Sequence, residues 1–327
     1  MIVRLKAGEK MFTHLQLQTG YNFFNSTITI KKLINRAKHL NMEALALTDE
    51  GVLYGAIEFY QACRNEGIHP IIGMTLPLYL HPELDKKIPI VLLAKNNTGY
   101  QHLMQISTIY QTEGDCEIEN ITSSVQDLIC IIPSEPYAIE EKIISHSHEI
   151  LAEWLSPLLN AFNKEDIFLG VANRTVRDES VIEAANVFTN QIGIKAVALQ
   201  DVRYLEEKDV ISYDCLQAMK YGEKWQGYTN RPGIQQRHFA SLREMENKFS
   251  AWPSLIENIS LITAHCNVKL DFNRQLMPAF PVPKNKTASS YLQELTETAL
   301  TDKYTNNAQE ASERLQYELE EIGRAHV

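Results

Sequence analysis

The chain has 327 residues and a formal net charge of −10 at pH 7, with a sequence pI near 5.5. Hydrophobic content of 44% against 22% charged residues is an ordinary globular balance, long enough for one large or two ordinary domains. The acidic balance argues against a self-sufficient DNA-binding module, because phosphate contacts draw on a basic face, and no run approaches the roughly 18 apolar residues of a membrane helix.

In chain order, "FTHLQLQ" alternates as a short strand, and Asn25-Ser26-Thr27 stand where a cap for the following helix is expected. "TIKKLINRAKHLN" places Ile30, Leu33, Ile34 and Ala37 on one helical face. "EALALTD" reads as a buried strand, and "LYGAIEFYQACRNEG" as a helix stopped by Gly67. "HPIIGMTLPLYL" and "KIPIVLLAKN" are strands, and "NTGYQHLMQISTIYQ" is a helix. Further on, "DLICIIP", "DIFLGVA" and "IKAVALQDVRY" read as strands, with "SVIEAANVFTNQIG" a helix before the last. This alternation predicts parallel βαβ units, in a doubly wound sheet or a barrel. After Tyr204 the pattern turns helical with long loops, and the proline-rich "QLMPAFPVPKN" (275–285) reads as an extended linker. Two helices, "ASSYLQELTETALTDKY" and "NAQEASERLQYELEE", follow it.

The ordered stretches "FTHLQLQTGYNFFNS", "ALALTDEGVLYGAIEFYQAC", "GIHPIIGMTL", "LLAKNNTGYQHLMQIS", "VALQDVRYL" and "CNVKLDFNRQLMPAFPVP" together resemble the N-terminal part of the bacterial DNA polymerase III alpha subunit, most of all the DnaE type of Gram-positive bacteria. The resemblance runs from Met11 to Glu320. It implies an α/β polymerase and histidinol phosphatase (PHP) domain, a distorted (β/α)7-like barrel, over 11–275, then a linker and the start of a palm domain over 276–320. Residues 1–10 are expected to be a non-native extension. "EIGRAHV" (321–327) reads as the in-frame translation of a sequencing-adapter sequence, so a truncated gene is expected.

An active PHP site takes a His-x-His pair from the first strand, which strand alternation aims at one interior point. Further His, Asp and Glu residues complete a cluster of divalent metals that activates water against a phosphoester. The resemblance places Gln16 and Gln18 at the His-x-His positions, Asn25 at an Asp, Glu50 at the His of T-D-H-G, Thr75 at a Glu, Pro89 at a His and Arg203 at the last His. Of this site only Asp201 survives unchanged. Asp201 and Glu50 alone suit a metal, and Arg203 brings a permanent cation to the same place. The expectation is a metal-free, catalytically degenerate scaffold in which Arg203, paired with Asp201 or Glu50, does the electrostatic work of the lost ions.

Nucleotidyl transfer is expected of the intact protein only, with Mg2+ held by palm residues beyond 327. Its partners would be its own palm and thumb, primer-template DNA and replisome proteins, in the cytoplasm and with no membrane. The alternative is a free-standing PHP phosphoesterase or 3′-5′ exonuclease. The stretch 220–239 carries Lys220, Lys224, Trp225, Arg231 and Arg237, a possible DNA-contact loop beside the plainer reading of a solvated loop.

Other candidates have structural readings. His146 and His148 have metal spacing but suit a solvated face; His14 suits a core or surface position; His265 beside Cys266 lies on a helix; Asp49 suits a cap on its own next turn. The five cysteines are scattered without a C-x-x-C pair and read as reduced thiols.

Overall fold

The computed structural model describes residues 12–84, 86–114, 118–135, 137–172, 178–225, 227, 234–273, 280–304 and 307–324. The chain divides into two compact units, Met1–Leu270 and Asp271–Val327.

The first unit is an α/β fold whose main sheet curls into a half-barrel. Its six strands, β2 (Ala44–Leu47), β3 (His69–Leu78), β4 (Ile88–Ala94), β5 (Leu128–Pro133), β6 (Ile167–Val171) and β7 (Lys195–Ala198), pair in sequence order. The central strands are near-continuous apolar runs, as a sheet covered on both faces requires; every residue of β5 is buried, and in β4 only Pro89 is partly exposed. Parallel pairing holds for β2–β3, β5–β6 and β6–β7, but β4 is antiparallel to both neighbours. The expectation of parallel units thus holds for three pairs and is corrected at β4. Among the described residues the link 79–87 between β3 and β4 carries no helix, and parallel neighbours need a crossover connection that so short a link cannot make.

Two short parallel strands, β1 (Gln16–Leu17) and β8 (Asp201–Val202), form a separate pair. The strand expected over "FTHLQLQ" thus shrinks to two residues, and the one expected through "IKAVALQDVRY" breaks at Leu199–Gln200. The chain changes partner there. Leu199 still donates its N–H to Val171 in line with β6, whereas Gln200 sends its side-chain amide to the carbonyl of His238 at 2.5 Å. The β1–β8 pair stands between the edges of the half-barrel. β8 follows edge strand β7 after two residues, and Leu17 of β1 accepts from Thr48 N at 2.8 Å just past edge strand β2. Leu17 N in turn donates to Thr48 Oγ1 at 2.8 Å.

Helix α1 (Ile30–His39) buries Ile30, Leu33, Ile34 and Ala37, the face set by its period. Its N-cap is Thr29, without a side-chain cap bond, so the capping role expected of Asn25-Ser26-Thr27 is corrected. Those side chains lie too far upstream of the first turn, and Ser26 Oγ serves Arg203 O at 2.9 Å instead. Helix α2 (Ala56–Asn65) stops ahead of Gly67, whose φ of 73° ends the turn. Helix α3 (Asn97–Glu113) is capped by Asn96, which accepts from Gly99 N. Three helices that the sequence pattern does not announce, α4 (Ile118–Ile121), α5 (Tyr137–Ile144) and α6 (His148–Ala161), flank β5. Helices α7 (Asp178–Ile192), α8 (Val210–Lys220), α9 (Leu242–Lys248) and α10 (Ser254–His265) complete the unit. Phe59, Phe188, Phe239 and Phe249 are its largest fully buried apolar side chains.

The second unit holds α11 (Ala288–Lys303) and α12 (Ala308–Arg324), which pack on each other. Leu292, Leu295, Tyr304, Tyr317 and Ile322 are exposed on or beside them. Residues 275–279 of the proline-rich stretch lie outside the described residues, as do residues 1–10 and 325–327.

Gly99 gives a direct test of the α3–β4 packing. A Cβ there would lie 2.2 Å from the Asp127 carbonyl oxygen, which already accepts from Lys95 N at 2.9 Å. Gly99→Ala is expected to destabilise the domain by about 1–3 kcal/mol in urea unfolding, as overpacking against backbone does.

Candidate functional site

Strand register brings the site together. Gln16 pairs with Asp201 and Leu17 with Val202, and Gln18 N donates to Val202 O at 3.1 Å. Alternation sends Leu15 and Leu17 into the apolar core, while Gln16 and Gln18, both buried, belong to the other face.

On that face Asp201 is the centre. Arg203 Nε lies 2.7 and 2.9 Å from its two carboxylate oxygens, and Arg237 Nη1 donates to Oδ2. Arg203 Nη1 also donates to Gln18 Oε1 at 2.6 Å and to the carbonyl of Asn25 at 3.2 Å. Backbone bonds hold the guanidinium in place. Arg203 N donates to Arg237 O at 2.8 Å, and Arg203 O accepts from Thr27 N and Ser26 Oγ. Burial works against the Arg203 charge, but Asp201, with smaller help from Glu50, outweighs it, so the guanidinium pKa is raised.

The other expected positions are placed less uniformly. The Asn25 side chain accepts from Lys220 Nζ at 2.5 Å and donates to Asn22 Oδ1 at 3.0 Å. Glu50 forms a backbone bridge with Thr75 and is half-buried, while Thr75 Oγ1 donates to Thr48 O at 2.9 Å. Pro89 sits in β4 opposite Pro77, in register with neither Gln16 nor Asp201. Asp49 does not cap its own turn, which corrects that expectation. Its carboxylate reaches across to the chain after Gln18, accepting from Thr19 N at 2.6 Å and Thr19 Oγ1 at 2.8 Å. Burial raises its pKa to about 6 against these two bonds and the Arg203 field.

The stretch 220–239 is divided. Arg237 turns inward to Asp201, with Glu135 at 3.6 Å, and Lys220 is bonded to Asn25. Lys224 is exposed, Trp225 Nε1 donates to Asp214 Oδ2 at 3.0 Å, and Arg231 lies outside the described residues. The inward role of Arg237 has no local signal in the sequence; it follows from the backbone pairing of Arg203 with Arg237.

Of the histidines, His14 is a core residue. Its Nε2 meets Ala240 O at 2.8 Å, and burial pushes its pKa down to about 4. His148 corrects the solvated reading of "HSH". It is buried at the start of α6 with Nδ1 2.9 Å from Gln191 Oε1, and only His146 is exposed. His265 Nδ1 bonds Leu261 O of its own helix, and burial pushes the Cys266 thiol up to about 12. Cys63, Cys130 and Cys215 are also free thiols, while Cys116 is outside the described residues.

Chemically, the arrangement is a compact ion cluster. Both oxygens of Asp201 face a guanidinium, and the one carbonyl oxygen of the Gln18 side chain is taken by Arg203. A divalent ion here would have to displace permanent cations and bind neutral amide donors, so the residues do not fit a metal cluster.

The PHP domain family matches residues 14–174, and the α/β half-barrel is consistent with such a domain. The chain is 32% identical to the DNA polymerase III subunit alpha of Bacillus subtilis over 96% of its own length. It is 29% identical to that of Halalkalibacterium halodurans over 95%, and 27% identical to that of Treponema pallidum over 96%. It spans 28% of the length of each of these relatives. A solved amidohydrolase from Chromobacterium violaceum, with bound sulfate and no metal, matches with a TM-score of 0.40 and 13% identity over 72% of this chain and 96% of that one. Among the described residues no helix is long and apolar enough to cross a membrane.

Two outcomes test this electrostatic description. Arg203→Met should cost about 2–4 kcal/mol in chemical unfolding, because the buried Asp201 loses the guanidinium that meets both of its oxygens. Asp201→Asn in the same background should recover part of the loss. For Asp49, a folded pKa above the ordinary value means that the folded state holds its proton more tightly than the unfolded chain. Its contribution is present below about pH 4 and is lost as pH rises through about 6. The stability of Asp49→Asn relative to the parent should therefore climb between pH 4 and 7, by up to about 3 kcal/mol, in urea titrations across that range.

Proposed function

We propose that this chain is the N-terminal part of a DNA polymerase III alpha subunit, with a PHP domain that acts as a metal-free scaffold. The Arg203–Asp201–Arg237 cluster carries the reading. It puts fixed positive charge where a PHP phosphoesterase would gather cations, and Gln16 and Gln18 provide no imidazole on β1. Similarity over nearly the whole chain to three alpha subunits supports the family. The exposed apolar side chains of α11 and α12 suit helices that begin a larger domain.

On this reading the polymerase chemistry, its Mg2+ and the primer-template contacts belong to sequence beyond residue 327. The PHP scaffold then serves its own palm and thumb and the replisome proteins that dock on the intact subunit. Asp201 and the two arginines tie β1, β8 and the segment at Arg237 together through fixed charges of this chain.

Incubating the 327-residue chain with Mn2+ or Zn2+ and a phosphomonoester, and separately with a 3′-labelled oligonucleotide, should give no release above the metal-only blank. Metal-dependent turnover that disappears in Asp201→Asn would overturn the scaffold reading.

A further inference from the structure

A second group of ligand-type side chains shares no residue with the Asp201 cluster. His238 follows Arg237, pairs as a backbone bridge with Tyr204 and is only 7% exposed. Its Nε2 is buried without a hydrogen-bond partner. Two carboxylates face that atom, Glu244 Oε1 at 3.5 Å and Glu207 Oε1 at 4.0 Å. One ligand atom from each of the three residues lies within 4.8 Å of the others.

We propose that Glu207, His238 and Glu244 form a binding site for a divalent transition-metal ion, Zn2+ foremost, distinct from the barrel mouth. In a tetrahedral zinc site with bonds of about 2.0–2.1 Å, neighbouring donors stand roughly 3.3 Å apart. The His238–Glu244 spacing already approaches this. Glu207 is 81% exposed at its side chain and sits in the 3-10 turn Glu207–Asp209, with room to turn inward.

Glu244 is held ready. Its Oε2 accepts from Ser241 N at 2.6 Å in the capping box of α9, which leaves Oε1 for His238. One imidazole and two carboxylates, with water in the fourth position, suit a borderline ion such as Zn2+ or Co2+ better than Ca2+ or Mg2+. A neutral imidazole is the form that binds metal. Lys248 offsets part of the carboxylate charge, so moderate affinity is expected rather than that of a four-ligand structural site.

The ion would tie the 3-10 turn before α8 to the first turn of α9. Between them lies the segment that returns with Arg237, the second cation on Asp201. The site would therefore brace the outer arm of the ion cluster.

The test uses the full 327-residue chain with Co2+ and Zn2+ as probes. Co2+ should give visible d–d bands of a low-symmetry site with one equivalent bound, displaced by Zn2+ and unaffected by millimolar Mg2+. Zn2+ at ten times its dissociation constant should raise Tm by about 2–4 °C. Glu207→Gln, an exposed change that spares the fold, and Glu244→Gln should each weaken binding at least about tenfold, as loss of a ligand does. Glu50→Gln, at the barrel mouth, should leave it unchanged. Absence of a Co2+ spectrum, or binding that survives Glu207→Gln and Glu244→Gln, would overturn the proposal. Binding lost only in Glu50→Gln would overturn it too, and would count against the metal-free scaffold instead.

Discussion

A buried carboxylate cannot remain charged without compensation, and Asp201 makes this demand at the junction of the barrel. Its side chain is only 11% exposed, so the desolvation cost must be met by fixed cations at short range. Arg203 and Arg237 meet it, and each is tied by backbone bonds as well as by charge. Gln18 Oε1 and the Asn25 carbonyl then accept from Arg203 Nη1, and the Asn25 side chain accepts from Lys220. The conformation of residues 16–27, 201–204 and 237–238 is the geometry that satisfies one ion cluster.

Much of the fold is legible because its strands are apolar runs and its helices carry a clear period. Ile30, Leu33, Ile34 and Ala37 turn inward as their spacing requires. The direction of β4 is not legible in its own residues, since an apolar run reads the same in both senses and the shortness of the link 79–87 decides it. The break at Leu199–Gln200 is equally hidden. Both halves of "IKAVALQDVRY" look like strand, and only the change of partner from β6 to β1 separates them.

The site shows the same division. Strand parity puts Gln16 and Gln18 on one face, and the pairing of Arg203 with Asp201 follows from two positions on one extended segment. Arg237 is a different case. It lies in a polar stretch that reads as a solvated or nucleic-acid loop, yet its guanidinium is drawn 36 positions back along the chain. Asp49 is similar, because a carboxylate after a strand caps locally by default, while here Thr19 offers two better donors. His148 and His238 are buried by tertiary packing that no local pattern encodes.

The pairing of β1 with β8 also sets an order of events during synthesis. Gln16 finds Asp201 only when the chain has grown 185 positions further, and so long a closure is entropically late and slow. Until then the side of β1 that pairs with β8 offers unpaired backbone groups, among them Gln18 N, which leaves the nascent half-barrel with an open edge vulnerable to pairing with other chains. Arrival of residues 201–204 gives Gln18 both its backbone partner, Val202 O, and its side-chain partner, Arg203. The last strand to emerge is therefore the lock that turns an exposed intermediate into a finished domain.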